Sequence, residues 1–106
     1  MANRTDLLIL MSRYYKGAMN GATAQTLALS LDCDARQVRH LVTELREDGI
    51  AVCGHPRTGY YIAATAEELE QTCQFLRSRA LHSLHLESKL RHVPLPELLG
   101  QLRLKT

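Results

Sequence analysis

The stretch DARQVRHLVTELREDGI, residues 34–50, decides the fold. At 100° per residue, Val38, Leu41, Val42 and Leu45 fall in one narrow sector, the pattern of an amphipathic helix that buries a single stripe. Asp34 stands just before the periodic run, where a carboxylate accepts from the free backbone N–H groups of Gln37 or Arg36. Gly49 stands just after it, where a left-handed residue ends a helix. The spacing therefore predicts a helix from Ala35 to about Asp48. Opposite its apolar stripe lie Arg36, His40, Thr43 and Glu47, with Gln37 and Arg39 on the flanks. That outer face is rich in donors over two turns and acidic at its end through Glu44, Glu47 and Asp48.

Working outward, Thr5 to Tyr15 reads as a helix with Thr5 as its N-cap, Asp6 set favourably against the dipole, and Leu7, Leu8, Met11 and Tyr15 on one face. GAMNGA, residues 17–22, breaks the period and predicts a turn or short loop. Thr23 opens a short helix over Ala24 to Leu31 in which Leu27 and Leu31 recur at i and i+4. Only LDCD separates it from the helix that starts at Ala35, so two short helices are joined by a tight turn. Downstream of Gly49 the period changes: IAVC, GHPRTG and YYIA read as two short strands around a turn-rich loop, residues 54–59. Tyr60 and Tyr61 alternate faces on the return strand, one toward the core and one toward solvent. Thr65 begins TAEE, a capping-box pattern, and the absence of Gly and Pro as far as His92 predicts a helix of about 27 residues and about 40 Å. In the tail VPLPELLGQLRLKT, Pro94, Pro96 and Gly100 interrupt a short face of Leu95, Leu98, Leu99 and Leu102, which speaks against an ordered helix. The expected organisation is thus a domain over residues 1–64, a long helix over 65–93 and a flexible, leucine-rich tail over 94–106.

The chain has 106 residues, one domain's worth, and its 45% hydrophobic and 23% charged residues exclude a disordered or fibrous protein. The longest apolar run, LLILM at residues 7–11, is too short to span a bilayer and lacks the flanks of a signal peptide, so a cytoplasmic location is expected. Charge is unevenly divided. Residues 1–76 carry 7 basic and 9 acidic side chains, whereas residues 77–106 carry 6 basic and 2 acidic. Cys33, Cys53 and Cys73 are odd in number, widely spaced and without CxxC, which disfavours both a disulfide framework and a thiolate zinc site. His82, His85 and His92 share the long helix, but no carboxylate or thiol completes a metal set with them. With no Gly-rich phosphate loop, no HExxH and no paired carboxylates in an evident cleft, neither an enzyme nor a cofactor is expected.

Helix, loop, short helix, tight turn, capped helix and hairpin is the order of a winged helix-turn-helix, and the chain resembles that family across residues 5–63. The resemblance rests on TAQTLALSLDCDARQVRHLVTEL for the helix-turn-helix and on ELREDGI and RTGYYI for the lead-in to the wing and the wing itself. It looks closest to the small winged-helix proteins of bacteria and their phages, including regulators with a biotin-repressor type of headpiece. Leu27, Ala28, Leu31, Val38, Leu41 and Leu45 fall where that family keeps its packing residues, and Ala28 where a small side chain lets two helices approach. Asp32 is a departure, because the turn there often has glycine; aspartate tolerates the left-handed conformation better than most residues.

The resemblance implies a fold that is mainly α with a small β-hairpin, and a sequence-specific protein of double-stranded DNA, nucleoid-associated, such as a transcriptional regulator or repressor. It places the second helix of the pair in the major groove. There Arg36 and Arg39 would match guanine O6 and N7, Gln37 would match adenine N6 and N7, and His40 or Thr43 would reach a base or a phosphate. Arg57, at the hairpin tip with His55 and Pro56, would enter a minor groove or touch phosphate, or stay solvated. The first half of the long helix is expected to pack on the winged domain. Its second half is expected to meet its twofold mate through Leu76, Ala80, Leu81, Leu84 and Leu90, giving a homodimer suited to a palindromic site. Arg77, Arg79, Lys89 and Arg91 either bind phosphate or keep that helix soluble. Two other readings stand beside this one. The same surface serves protein–protein interaction in many winged helices, and a replication or recombination accessory role would use the leucine-rich tail to dock a protein partner.

Overall fold

The structure, a computed structural model, describes residues 2–102, so the last four residues of the expected tail lie outside it. Along the chain come α1 (Arg4–Tyr14), a single 3-10 turn (Ala18–Asn20), α2 (Ala24–Leu31), α3 (Ala35–Glu47), β1 (Val52–His55), β2 (Gly59–Ile62), α4 (Ala66–Arg91) and α5 (Leu95–Leu102). The protein is mainly α with a small antiparallel hairpin, a helix-turn-helix and wing followed by a long C-terminal helix, which is the class expected. The chain divides within α4 into two compact units, one ending at Thr72 and the other starting at Cys73.

The core of the first unit is the meeting of three helical stripes. Leu7 and Met11 of α1, Leu27 and Ala28 of α2, and Val38, Leu41, Val42 and Leu45 of α3 are all buried, joined by Val52 of β1. Burying side chains of this size is worth about 1.5–3 kcal/mol each for the larger ones, so the stripe identified from periodicity is what pins α3. Helix α1 begins earlier than expected. Asn3, not Thr5, is its N-cap: the Asn3 side chain accepts from the Asp6 N–H at 2.9 Å, and the Asp6 carboxylate accepts from the Asn3 N–H at 3.0 Å. This reciprocal box satisfies two orphan donors at once and leaves Thr5 inside the first turn.

Three helices end by one device. Beyond α2, α3 and α4 the residues Asp32, Gly49 and His92 take φ of 53°, 82° and 55°. The N–H groups of the next residues, Cys33, Ile50 and Val93, then donate five residues back to Ala28, Leu45 and Ser88. Cys33 and Ile50 pack against the core, as is usual at this kind of helix end, and Val93 is half-buried. Asp32 thus takes the left-handed conformation that the turn between α2 and α3 requires.

The hairpin is stitched to the rest of its unit. Its register pairs Val52 with Ile62 and His55 with Gly59, leaving Pro56, Arg57 and Thr58 as the turn, shorter than the expected loop. The Thr58 N–H closes that turn on the His55 carbonyl at 3.1 Å. The far side of β2 also pairs: Tyr60 and Ala22 exchange backbone bonds of 2.7 and 2.9 Å, and Ile62 bonds to Tyr15 and Gly17 at 2.8 Å each. GAMNGA, expected as a turn or short loop, is a 3-10 turn flanked by two strand-like bridges. Glycine is required at both sides of this seam. A Cβ on Gly21 would lie 1.9 Å from the Thr58 carbonyl oxygen, and one on Gly59, already at φ 76°, would lie 2.5 Å from the Ala22 backbone.

Glu68 fastens the start of α4 within the same unit. Thr65 accepts from the Glu68 N–H at 3.1 Å, as the TAEE pattern predicts. The Glu68 carboxylate, however, accepts from Ala64 N–H and from Ala18 N–H in the 3-10 turn, both at 2.8 Å. These N–H donors, Ala18 first, hold its carboxyl below the usual range. Tyr61 is buried and Tyr60 half-buried, the alternation expected of the return strand. Burial, and to a lesser extent the neighbouring Cys53, pushes the Tyr61 hydroxyl up from its ordinary value, against a hydrogen bond with Thr72.

In the second unit the tail differs from expectation, because α5 forms over Leu95–Leu102 with Leu98 buried. Pro96 lies in its first turn, where a missing N–H costs nothing, and Pro94 precedes it. Among the described residues no helix is long and apolar enough to cross a membrane.

Candidate nucleic-acid interface

Helix α3 is held by its stripe: Val38 is 0% exposed and Val42 and Leu45 are each 2% exposed. With that face fixed, the opposite one has to look outward. Arg36, Gln37, Arg39, His40 and Thr43 are all exposed, and among the described residues no hydrogen bond or ion pair engages the side chains of Arg36 or Arg39. Two long cations are left with every guanidinium donor available, in the geometry that suits bidentate acceptors.

The other three candidates already have local partners. Gln37 completes a capping box with Asp34: its N–H donates to the Asp34 carboxylate at 2.7 Å and its Oε1 accepts from the Asp34 N–H at 3.0 Å. Its amide is thereby oriented at the first turn, and an adenine contact would share that oxygen with the cap. His40 Nε2 lies 3.5 Å from Glu44 Oε1, one turn on. The Thr43 hydroxyl donates back to the Arg39 carbonyl at 3.2 Å.

Arg36, Gln37 and His40 line one open cleft of about 690 Å³ together with Asn3, Arg4 and Glu44. The geometry thus joins three candidates on the α1 side of α3, with Arg39 and Thr43 linked to each other beside them. Arg57 belongs to a separate place on the wing. Its backbone N–H donates to His55 Nδ1 at 3.0 Å, so His55 braces the turn. Among the described residues, no hydrogen bond or ion pair ties Arg57 to the α3 set.

Two arginines absent from the expected site turn out to shape it. Arg46 is half-buried and its Nε donates to the Val52 carbonyl at 2.8 Å, fastening the end of α3 to the wing. Arg4 reaches across from α1, with Nη1 3.3 Å from Glu44 Oε2 and Nε 3.2 Å from Asp48 Oδ2. The part of this that the sequence could show lies in Asn3 and Asp6, since a capping box there makes Arg4 the first residue of the helix. Of the residues expected to dimerise, Leu76, Ala80, Leu81 and Leu90 are exposed and Leu84 is half-buried. Among the described residues no group of His, Cys, Asp and Glu is arranged to hold a metal ion. No protein-family model, curated protein or solved structure matches this chain.

Proposed function

We propose that the protein binds double-stranded DNA in a sequence-specific manner, with α3 in the major groove and the wing at the neighbouring minor groove or phosphates. The observation that carries this reading is the contrast across α3, where a buried apolar face fixes an opposite face on which Arg36 and Arg39 are exposed and, among the described residues, unengaged. Arg36 and Arg39 read guanine edges, His40 and Thr43 reach a base or phosphate, and Arg57 meets the backbone or minor groove from the wing. Gln37 acts first as a cap and contributes to readout through its remaining donors. The apolar residues of α4 support a homodimer that presents two reading helices to a twofold site, the arrangement of a transcriptional regulator.

Binding sites selected from a random duplex pool and then followed by electrophoretic shift across a salt series test the reading. The expected result is one enriched, inverted-repeat sequence whose affinity falls steeply with salt. Each good bidentate contact discriminates by about 1–3 kcal/mol, so Arg36→Ala/Arg39→Ala should weaken binding by at least about tenfold with an unchanged circular dichroism spectrum. Unaltered affinity in that variant would reject the assigned face. A second reading, a protein-interaction module using this surface, is favoured by the acidic balance of residues 1–76; it predicts no duplex binding even at low salt.

A further inference from the structure

The outer end of α3 is an unfavourable surface to bring toward a polyanion. Glu44, Glu47 and Asp48 cluster there, at the end of the helix that already carries the negative pole of its dipole. Arg46, the cation of that turn, makes no ion pair with them among the described residues, since it is half-buried with its Nε donating to the Val52 carbonyl. Compensation comes from another element. The Arg4 guanidinium forks between two of the three carboxylates, Glu44 and Asp48, and lines the same cleft as Arg36, Gln37 and His40.

The side chains of Arg4, Glu44 and Asp48 are 50%, 33% and 48% exposed. Ion pairs this open to water contribute little to folding. Their effect on the local field is another matter, since a charge near a binding face changes encounter and affinity without touching the partner. Glu44 also sits 3.5 Å from His40 through its other oxygen. An arginine on Glu44 keeps that carboxylate from acting on His40 alone.

We infer that Arg4 is a positioning residue for DNA binding, which holds Glu44 and Asp48 and offsets one of their two negative charges, so that the acidic end of α3 repels the duplex less. The inference rests on the DNA-binding reading above. It assigns to a residue of the first helix a role in affinity that depends on two carboxylates of the third.

A double-mutant cycle on the full chain tests it, using a selected duplex at about 0.15 M salt, where the screening length is about 8 Å. Arg4→Ala is expected to weaken binding about tenfold in the native background and less than about twofold in a Glu44→Gln/Asp48→Asn background. Arg4→Lys, which keeps the charge, should stay within about threefold of the native affinity. Thermal unfolding of each variant checks folding, and Arg4→Gln replaces Arg4→Ala if the latter melts early. Equal losses in the two backgrounds would mean that Arg4 touches the DNA itself and would overturn the inference, as would no loss in the native background. A native chain that shifts no duplex sinks the DNA reading and this inference together, an outcome distinct from either.

Discussion

Asp32 holds a left-handed backbone, with φ 53° and ψ 50°, in the turn that sets the angle between α2 and α3. A non-glycine residue there costs about 1–2 kcal/mol relative to right-handed geometry, less for aspartate. Asp32→Gly should therefore raise stability by about 0.5–1 kcal/mol, read as an upward shift of the denaturation midpoint at constant slope. Gly21 gives the opposite sign, because a methyl group there meets a backbone carbonyl; Gly21→Ala should detach the seam and lower the midpoint clearly. Glu68 adds a dependence on pH. Its folded carboxyl is held below the ordinary value of 4.5 by the Ala18 and Ala64 N–H groups. The stabilisation is therefore fully present above that value and lost as pH falls through the depressed one. Denaturant titrations at neutral pH and near pH 3 should show Glu68→Gln less stable than the native chain at neutral pH, with the difference shrinking in acid. At this scale the sequence was readable where a residue's role is local. Asp34, Gly49 and Thr65 announce themselves by position, whereas the acceptance of the Ala18 N–H by Glu68 joins residues 50 apart and leaves no mark in the spacing.

At the scale of the element, α3 combines two duties that meet at Gln37. The pattern Asp34-x-x-Gln37 is a capping box in the sequence, and reading Gln37 mainly as an outward side chain overlooks it. Gln37→Glu separates the duties, since glutamate serves the same cap but adds a charge that phosphate repels. Stability within about 0.5 kcal/mol of native, with duplex affinity reduced, is the expected pair of results; a marked loss of stability would show that the cap is not what Gln37 supplies. The boundaries of α2, α3 and the hairpin were legible because apolar period and punctuation agree there. Helix α1 starts earlier than its spacing predicts, since Thr5 is as good a cap by residue type as Asn3 and only the reciprocal bond to Asp6 decides between them. For α5, two prolines and a glycine outweighed four leucines in the sequence. The structure reverses this because Pro96 falls in the first turn, where it is harmless.

Across the whole molecule, the two halves differ in charge: residues 77–106 hold 6 of the 13 basic side chains and 2 of the 11 acidic ones. Leu81 and Leu90 in that half are 43% and 82% exposed, and Leu76 at its border is 41% exposed, more apolar surface than an isolated helix usefully shows to water. If a second copy covers it, sedimentation at micromolar concentration gives a dimer, the melting temperature rises with concentration, and Leu81→Glu/Leu84→Glu yields a monomer with weaker duplex binding. A native monomer would remove the dimer from the proposal. The exposed apolar surface of α4 was only half legible, since α4 is apolar on several sides without a clean heptad, and a spacing rule then has no single seam to select.

The double stitching of β2 has a mechanical consequence. Tyr60 and Ile62 donate their N–H groups to Ala22 and Tyr15 while their strand pairs with β1 on the other edge. Their amides should accordingly resist hydrogen exchange far better than that of Arg57. Only Pro56, Arg57 and Thr58 lie outside the strand pairing, and the bonds of the Arg57 and Thr58 N–H groups to His55 tie even that turn. A partner that met the wing would find a strand already held on both edges.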